Sequence, residues 1–227
     1  ILCKTVYTAL KETKDNKVKF AMLNPTDLFA SVRCNPIAPR YFTSTLDITE
    51  AIHGLMKNLE KQWVYKSDFW SSNAINIVTA MTIWLSVNKP QYCTIPHLTS
   101  LLLNDFRSII NLLISDEQIK PIMSPVVSAY KMNAQSIIST SQLPLTKLHV
   151  PELYYLFNPS PEDDFNLDIT NPERPMIFCV CNNPSQKAAL TPLLAVTATT
   201  CKNQMMRANK VNSFFCVDEN STFSCSG

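Results

Sequence analysis

The chain has 227 residues, of which 46% are hydrophobic and 17% are charged, a composition typical of a folded globular protein. Its formal net charge of +2 is too close to neutral to argue for nucleic-acid binding. Only Gly54 and Gly227 are glycines, which excludes a GxxxxGK(S/T) phosphate loop, a GxGxxG dinucleotide turn and a GxSxG nucleophile elbow. Any nucleotide site in this sequence is therefore incomplete or uses another device.

The eight cysteines raise the question of disulfides, but their settings favour free thiols. Cys179 and Cys181 lie in an apolar run, and Cys216 lies within another at 214–217, where a thiol behaves as a small hydrophobic side chain. The Cys-x-Cys spacing and the scattered histidines argue against a zinc-binding protein. Free thiols predict a reducing, cytosolic compartment. We also predict no membrane segment, because the longest uncharged stretch, 69–88, is too polar to span a bilayer.

The first part of the chain, residues 1–66, predicts a helix, a strand and a second helix. Apolar residues at helical spacing predict a helix over 1–12, and alternation over 18–22 predicts a strand. Thr49 is the predicted N-cap of the second helix, which continues to about Trp63. The opening order of helix and strand is typical of a piece of an α/β sheet.

Residues 67–148 contain no convincing strand and predict a helical block. Ser67 or Asp68 is the predicted cap of a helix that is apolar around much of its circumference, so we expect this helix to be buried. Further helices are predicted to begin at Thr94, Asp105 and Asp116.

The last part, residues 149–227, predicts an order of strand, helix and strand. A proline-rich loop with an acidic run at 162–164 comes first. The continuous apolar run at 176–181 predicts a buried parallel strand, and a helix is predicted over 184–206. The second apolar run, at 214–217, predicts a second buried strand.

Asp218 and Glu219 directly follow this last apolar run, which is the pattern of a Walker B strand. The carboxyl end of such a strand opens into the ligand crevice of an α/β sheet, where an aspartate can hold Mg²⁺ directly or through water. The next acid can polarise the attacking water. The alternative interpretation is a strand end whose two carboxylates face solvent.

Several short motifs also occur in a particular order along the chain. They are KVKFAMLNP at 17–25, followed by Arg33-Cys34-Asn35-Pro36; DFW at 68–70 with Ala74; YCTIPHLTSLLL at 92–103; RPMIFCVC at 174–181; and SFFCVDE at 213–219. In this order they resemble the conjugative coupling ATPases of type IV secretion, the TraG/TraD type, and in detail its Bacteroides-like variants.

The resemblance implies a partial RecA-like P-loop NTPase core of α/β class, interrupted by an inserted all-α domain. Residues 1–66 and 149–227 would be the two parts of the motor domain, and residues 67–148 would be the insertion. ATP and Mg²⁺ would be the ligands, with Asp218 binding the cofactor and the metal and Glu219 activating water. The parent protein would be a homohexamer at the cytoplasmic face of the bacterial inner membrane. It would recruit relaxase–DNA complexes and drive DNA through the secretion channel.

Because the Walker A loop of that family would lie upstream of this sequence, the chain is interpreted as an internal fragment. We expect it to hydrolyse no ATP alone and to expose sheet edges that favour aggregation. A second hypothesis is a non-catalytic helical interaction module. In it, residues 67–148 bind a protein partner or DNA, and Asp218 and Glu219 are structural.

Overall fold

Helices make up most of the regular structure. A computed structural model describes residues 2–13, 18–66 and 68–217, and within these ranges the chain forms ten α-helices and two β-strands. In chain order they are α1 (Leu2–Glu12), β1 (Lys19–Leu23), α2 (Thr45–Leu59), α3 (Gln62–Tyr65), α4 (Phe69–Asn88), α5 (Ile95–Leu102), α6 (Phe106–Ile114), α7 (Lys120–Met132), α8 (Ala134–Thr146), α9 (Pro151–Phe157), β2 (Met176–Val180) and α10 (Lys187–Met205). Short 3-10 turns lie at Pro39–Tyr41, Pro90–Tyr92 and Pro184–Gln186.

The sheet contains only two strands in the described part of the chain. β1 and β2 are parallel, with Lys19 opposite Met176 and Leu23 opposite Val180. The strand predicted from alternation over 18–22 and the strand predicted from the apolar run at 176–181 are confirmed, although β2 is only partly buried. The predicted α/β class with a RecA-like core is therefore wrong. The described part of the chain is mostly helical, its sheet has two strands, and it is not clearly a RecA-like core.

The missing element is the predicted strand at 214–217. Residues 211–217 have no regular structure, and the Phe214 side chain is 99% exposed. Four consecutive apolar residues form a buried strand only where a neighbouring strand pairs with them and other elements pack over them. None of the described elements does so here, and local sequence carries no information about that tertiary requirement.

α4 is central to the packing, because α2, α7 and α8 all contact it. Asp68 is its N-cap, as predicted: its carboxylate accepts a hydrogen bond from the Ser71 N–H at 2.8 Å. The Ser71 hydroxyl in turn accepts one from the Asp68 N–H at 2.9 Å. This reciprocal capping box satisfies two donors that the first turn would otherwise leave unpaired. The helix is buried around most of its circumference, as its apolar residues on opposite sides predict.

α2 begins earlier than predicted, because Ser44 rather than Thr49 is its N-cap. Ser44 and Asp47 form a capping box, whereas the Thr49 hydroxyl donates to the Thr45 carbonyl inside the helix. α7 begins at Lys120, since residues 116–119 form a turn instead of the predicted first helical turn. The predicted caps Thr94 and Asp105 are confirmed.

The buried apolar residues form one continuous cluster that extends from Leu23 on β1 to Cys201 on α10. The cluster passes through α2 and α4, and α10 packs along α2. No described residue of α1 belongs to it. Among the described helices, none combines the length and apolar character needed to cross a membrane.

Candidate interaction surface

The two residues predicted to bind Mg²⁺ and to activate water, Asp218 and Glu219, lie outside the described residues. Their roles therefore stay predictions. The run before them, 214–217, is described and does not form the strand that would bring them to a sheet edge. Within the described ranges, no group of three or more His, Cys, Asp or Glu side chains is arranged to hold a metal ion.

Arg33 instead joins segments that are distant in sequence. Its Nε donates to the Tyr155 carbonyl at 2.8 Å, and its Nη2 donates to the Asn158 carbonyl at 2.9 Å. Its Nη1 forms an ion pair with Asp163 Oδ2 at 2.9 Å, and its guanidinium carbon lies 4.5 Å from the centre of the Tyr155 ring. The Arg33 side chain is only 21% exposed. All three nitrogens of its guanidinium therefore make hydrogen bonds within the protein, and Arg33 links its own segment to α9 and to the acidic loop.

Asn35 and Asp164 strengthen the same junction. Asp164 accepts a hydrogen bond from the Asn35 N–H at 3.1 Å and forms an ion pair with Arg40 at 2.7 Å. The Asn35 amide donates to the Cys93 carbonyl at 2.8 Å, and its oxygen accepts from the Ile37 N–H at 3.2 Å. The R-x-N-P segment thus attaches the acidic loop to the helical part of the molecule. We call these contacts and those of Arg33 the Arg33 junction.

Three neighbouring aromatic rings lie at the surface, and the next residue, Tyr155, places its ring against Arg33 of the junction. The Tyr92 and His97 ring centroids are 5.1 Å apart, and those of His97 and Tyr154 are 6.2 Å apart. Tyr92 and Tyr154 are each 47% exposed and Tyr155 is 45% exposed. We call Tyr92, His97, Tyr154 and Tyr155 the aromatic strip.

His97 contributes an uncharged ring to the aromatic strip. Burial lowers the pKa of His97 below its usual value, which favours the neutral imidazole at pH 7. Its Nδ1 lies 2.8 Å from the hydroxyl of Thr94, the N-cap of α5, which also accepts a hydrogen bond from the His97 N–H. The histidine is thus part of the cap of α5.

A groove of about 360 Å³ borders the aromatic strip. Its lining residues are Ser31, Val32, Arg33, Tyr155, Glu162, Asp163, Asp164 and Phe165. Three of these residues carry carboxylates and one carries a guanidinium; Asp163 is paired with Arg33 and Asp164 with Arg40, so Glu162 supplies the net negative charge. Glu162 is exposed, and the Asp163 side chain is 59% exposed despite its ion pair. We call this feature the acidic groove, and its charge suits a cationic ligand better than a phosphate.

A second cavity, of about 280 Å³, lies between α2 and α10. Arg207 lines it and donates to the Tyr41 carbonyl at 2.6 Å. Asp47 also lines it and accepts from the Thr43 N–H at 2.6 Å, and hydrogen bonds from Thr43 hold the pKa of Asp47 below its usual value. Asp47 and Arg207 are engaged within the protein and Glu50 is the remaining charged residue of the lining, so this cavity is the weaker candidate.

No protein-family model matches this chain, and no curated protein matches it either. The site must therefore be argued from its own geometry. Sequence reasoning singled out the R-x-N-P segment and the acidic loop, but it did not bring them together. It missed Tyr154 and Tyr155 altogether. The usable signal was a pair of large aromatics shortly before a run of three acids.

Proposed function

We propose that this chain is a non-catalytic helical interaction module that binds a protein partner through the aromatic strip and the acidic groove. The observation that carries the proposal is the set of half-exposed tyrosine rings beside the Arg33 junction. Tyrosine is enriched at interface hot spots, because a large ring with few rotatable bonds buries much area at little entropic cost. The Arg33 junction fixes the backbone of Tyr155 before any partner arrives.

The groove specifies the chemistry of that partner. Glu162 and Asp163 offer carboxylates to Arg or Lys side chains, whereas a nucleic-acid backbone would meet charge of its own sign. The neighbouring tyrosines offer ring faces for aliphatic, aromatic or guanidinium groups. A protein segment that carries basic and aromatic residues therefore fits this surface better than DNA does.

The resemblance to coupling ATPases suggests a relaxase, alone or with its DNA, as the first natural partner to test. In that setting the chain would act at the cytoplasmic face of the bacterial inner membrane, within a homohexamer that delivers DNA to the secretion channel. The order of the sequence motifs is the only support for this part of the proposal. Binding of ATP and Mg²⁺ through Asp218 and Glu219 rests on the same motif order.

Fluorescence anisotropy with two labelled probes tests the proposed surface. One probe is a peptide of alternating arginine and tryptophan, and the other is a single-stranded DNA oligonucleotide. We expect the peptide to bind and its affinity to fall as salt is added, because screening weakens the attraction to carboxylates. Binding of the DNA but not of the peptide would contradict the assignment.

Two variants locate the binding. Tyr154→Ala and Glu162→Lys should each weaken peptide binding about tenfold, the loss typical of an important interface side chain. The matched controls are Tyr65→Ala and Glu117→Lys, which change exposed residues outside the surface in the same way. Equal losses in variants and controls would show that the peptide binds elsewhere.

A further inference from the structure

Helix α1 lies on one face of the two-stranded sheet. The ring centroids of Tyr7 and Phe20 are 5.1 Å apart, and Cys3 Sγ lies 3.3 Å from Met22 Sδ. Phe20 and Met22 are two positions apart on β1, so their side chains share a face. The register partner of Met22 on β2 is Cys179, which lies on this face as well.

Three cysteines lie between α1 and the end of β2. The N–H of Cys181 donates to the Leu23 carbonyl at 2.9 Å, so the strand pairing continues to Cys181, two positions after Cys179. Cys3 Sγ contacts Met22, whose neighbour on β2 is Cys179, so Cys3 faces the part of β2 that carries Cys179 and precedes Cys181. We call these three residues the three-thiol cluster. All three are partly exposed, which gives a small molecule access to them.

The other described cysteines lack this combination of proximity and access. Cys34 and Cys201 lie near each other, but both are buried. Cys93 is buried, with its thiol directed to the Ile37 carbonyl at 3.4 Å. Cys216 is exposed and lies in an irregular segment. They therefore serve as internal comparisons for the reactivity of the three-thiol cluster.

The position of α1 gives a covalent link at this point a structural effect. No described residue of α1 belongs to the continuous core, which begins at Leu23. Its contacts with the sheet face, such as that between Tyr7 and Phe20, are made by partly exposed side chains. A helix attached in this way opens locally at low free-energy cost, so a bond to β2 would restrict it strongly.

We propose that the three-thiol cluster is an oxidation site, at which Cys3 forms a disulfide with Cys179 or Cys181 and fastens α1 to β2. The oxidant is a small-molecule disulfide such as oxidised glutathione. One cluster thiolate attacks a glutathione sulfur and releases a first reduced glutathione. A second cluster thiolate attacks the protein sulfur of the mixed disulfide and releases the other. The two protein thiols lose two electrons and two protons in total, which reduce the glutathione disulfide to two thiols.

The third cysteine allows the link to move. In the disulfide between Cys3 and Cys179, the Cys181 thiolate can attack the Cys3 sulfur and release Cys179 as a thiolate. Burial, together with the neighbouring Cys3 thiol, raises the pKa of Cys179 to about 12 and that of Cys181 to about 11. Since the thiolate is the nucleophile, the two strand cysteines react slowly at pH 7, and we expect oxidation and exchange to accelerate as the pH rises toward these pKa values.

The test uses the full chain with oxidised glutathione, followed by digestion without reduction and mass spectrometry. We expect a peptide that contains Cys3 to be joined to the peptide that contains Cys179 and Cys181. Hydrogen exchange of the α1 amides should slow about tenfold in the oxidised protein and recover after reduction. Glutathione adducts without an internal link would overturn the proposal, and this measurement needs no substitution.

Serine variants separate the roles of the three cysteines. Cys3→Ser should abolish the internal link, whereas Cys179→Ser and Cys181→Ser should each leave one link to Cys3. The double variant of both strand cysteines should lose it. Cys216→Ser is the matched control and should oxidise as the unchanged protein does. A link that survives Cys3→Ser, or that joins Cys3 to Cys216 equally often, would contradict the assignment.

Discussion

Arg33 completes the C-terminal end of α9. The last carbonyls of a helix have no partner within it, and here the Tyr155 carbonyl accepts from Arg33 Nε and the Leu156 carbonyl accepts from the Cys34 N–H. A guanidinium at this position also interacts favourably with the negative end of the helix dipole. Two residues of a distant segment thus provide the cap that α9 lacks in its own sequence.

Arg33→Ala should lower the free energy of unfolding by about 2–3 kcal/mol, because it leaves two carbonyls and one carboxylate without this donor. Arg33→Lys keeps the charge but not the planar array of donors, so we expect it to restore only part of this loss. Urea unfolding followed by circular dichroism measures the difference. Arg107→Ala, at an exposed position, is the control and should change stability by less than about 0.5 kcal/mol. Equal losses at Arg33 and Arg107 would contradict the role of the junction.

Gly54 is an exposed residue inside α2, and a Cβ added there would meet no atom within 4 Å. Gly54→Ala should therefore raise the free energy of unfolding by about 0.5–1 kcal/mol, since alanine reduces the backbone entropy of the unfolded chain and favours the helix. Thermal or urea unfolding checks the sign. A destabilised variant would show that the glycine has a role that its surroundings do not reveal.

At the scale of elements, α4 shows how local sequence and tertiary packing cooperate. Its N-terminus is fixed by the reciprocal bonds of Asp68 and Ser71, and the rest of the helix is buried against its neighbours. Hydrogen bonds from Ser71, of which the one from its backbone N–H is the strongest contribution, hold the pKa of Asp68 below its usual value. The ionised cap therefore binds its donors better than a protonated one would.

Asp68→Ala should cost about 1 kcal/mol of stability at pH 7, the typical value of an N-cap. Because the folded pKa of Asp68 is depressed, the contribution of its charge is complete above the unfolded carboxyl pKa of about 4 and is lost as the pH falls through the lower folded value. Asp68→Asn keeps a capping oxygen that does not titrate. We expect it to lose less stability than the alanine variant and to show a shallower decline in acid unfolding curves. Identical acid profiles for Asp68→Asn and the unchanged protein would contradict this role.

The elements also show what could be predicted from sequence. Helical spacing and capping residues locate α1, α4 and α5, alternation locates β1 and an apolar run locates β2, because these signals act within a few residues. The strand predicted at 214–217 was wrong because an apolar run does not reveal whether a neighbouring strand pairs with it. The surface was harder still. Arg33 and Tyr155 meet only in the folded chain, and neither residue signals the other in sequence.

At the scale of the whole molecule, one core unites all three parts of the sequence. Residues of β1, α4 and α10 belong to the same buried cluster. The sheet is a small element beside this helical core, in contrast to the central sheet of a nucleotide-binding domain. The described part of the chain therefore differs from the motor-domain architecture that the motif order implies.

The chain alone should show no Mg²⁺-dependent ATP hydrolysis, because a sequence with only Gly54 and Gly227 cannot form a glycine-rich phosphate loop. A coupled phosphate-release assay measures this, with an active P-loop ATPase as the positive control. Sustained hydrolysis that disappears on Glu219→Gln would show that the missing loop is replaced by another device.

The Arg33 junction also has a consequence for the order of folding. Its contacts join residues separated by 122, 125 and 130 positions. Closing so long a loop costs entropy before any contact compensates for it, so such contacts form late. During synthesis the acidic groove cannot exist until Phe165 has left the ribosome. The groove therefore forms only after the segments around Arg33 and Asp163 have both been synthesised and have come together.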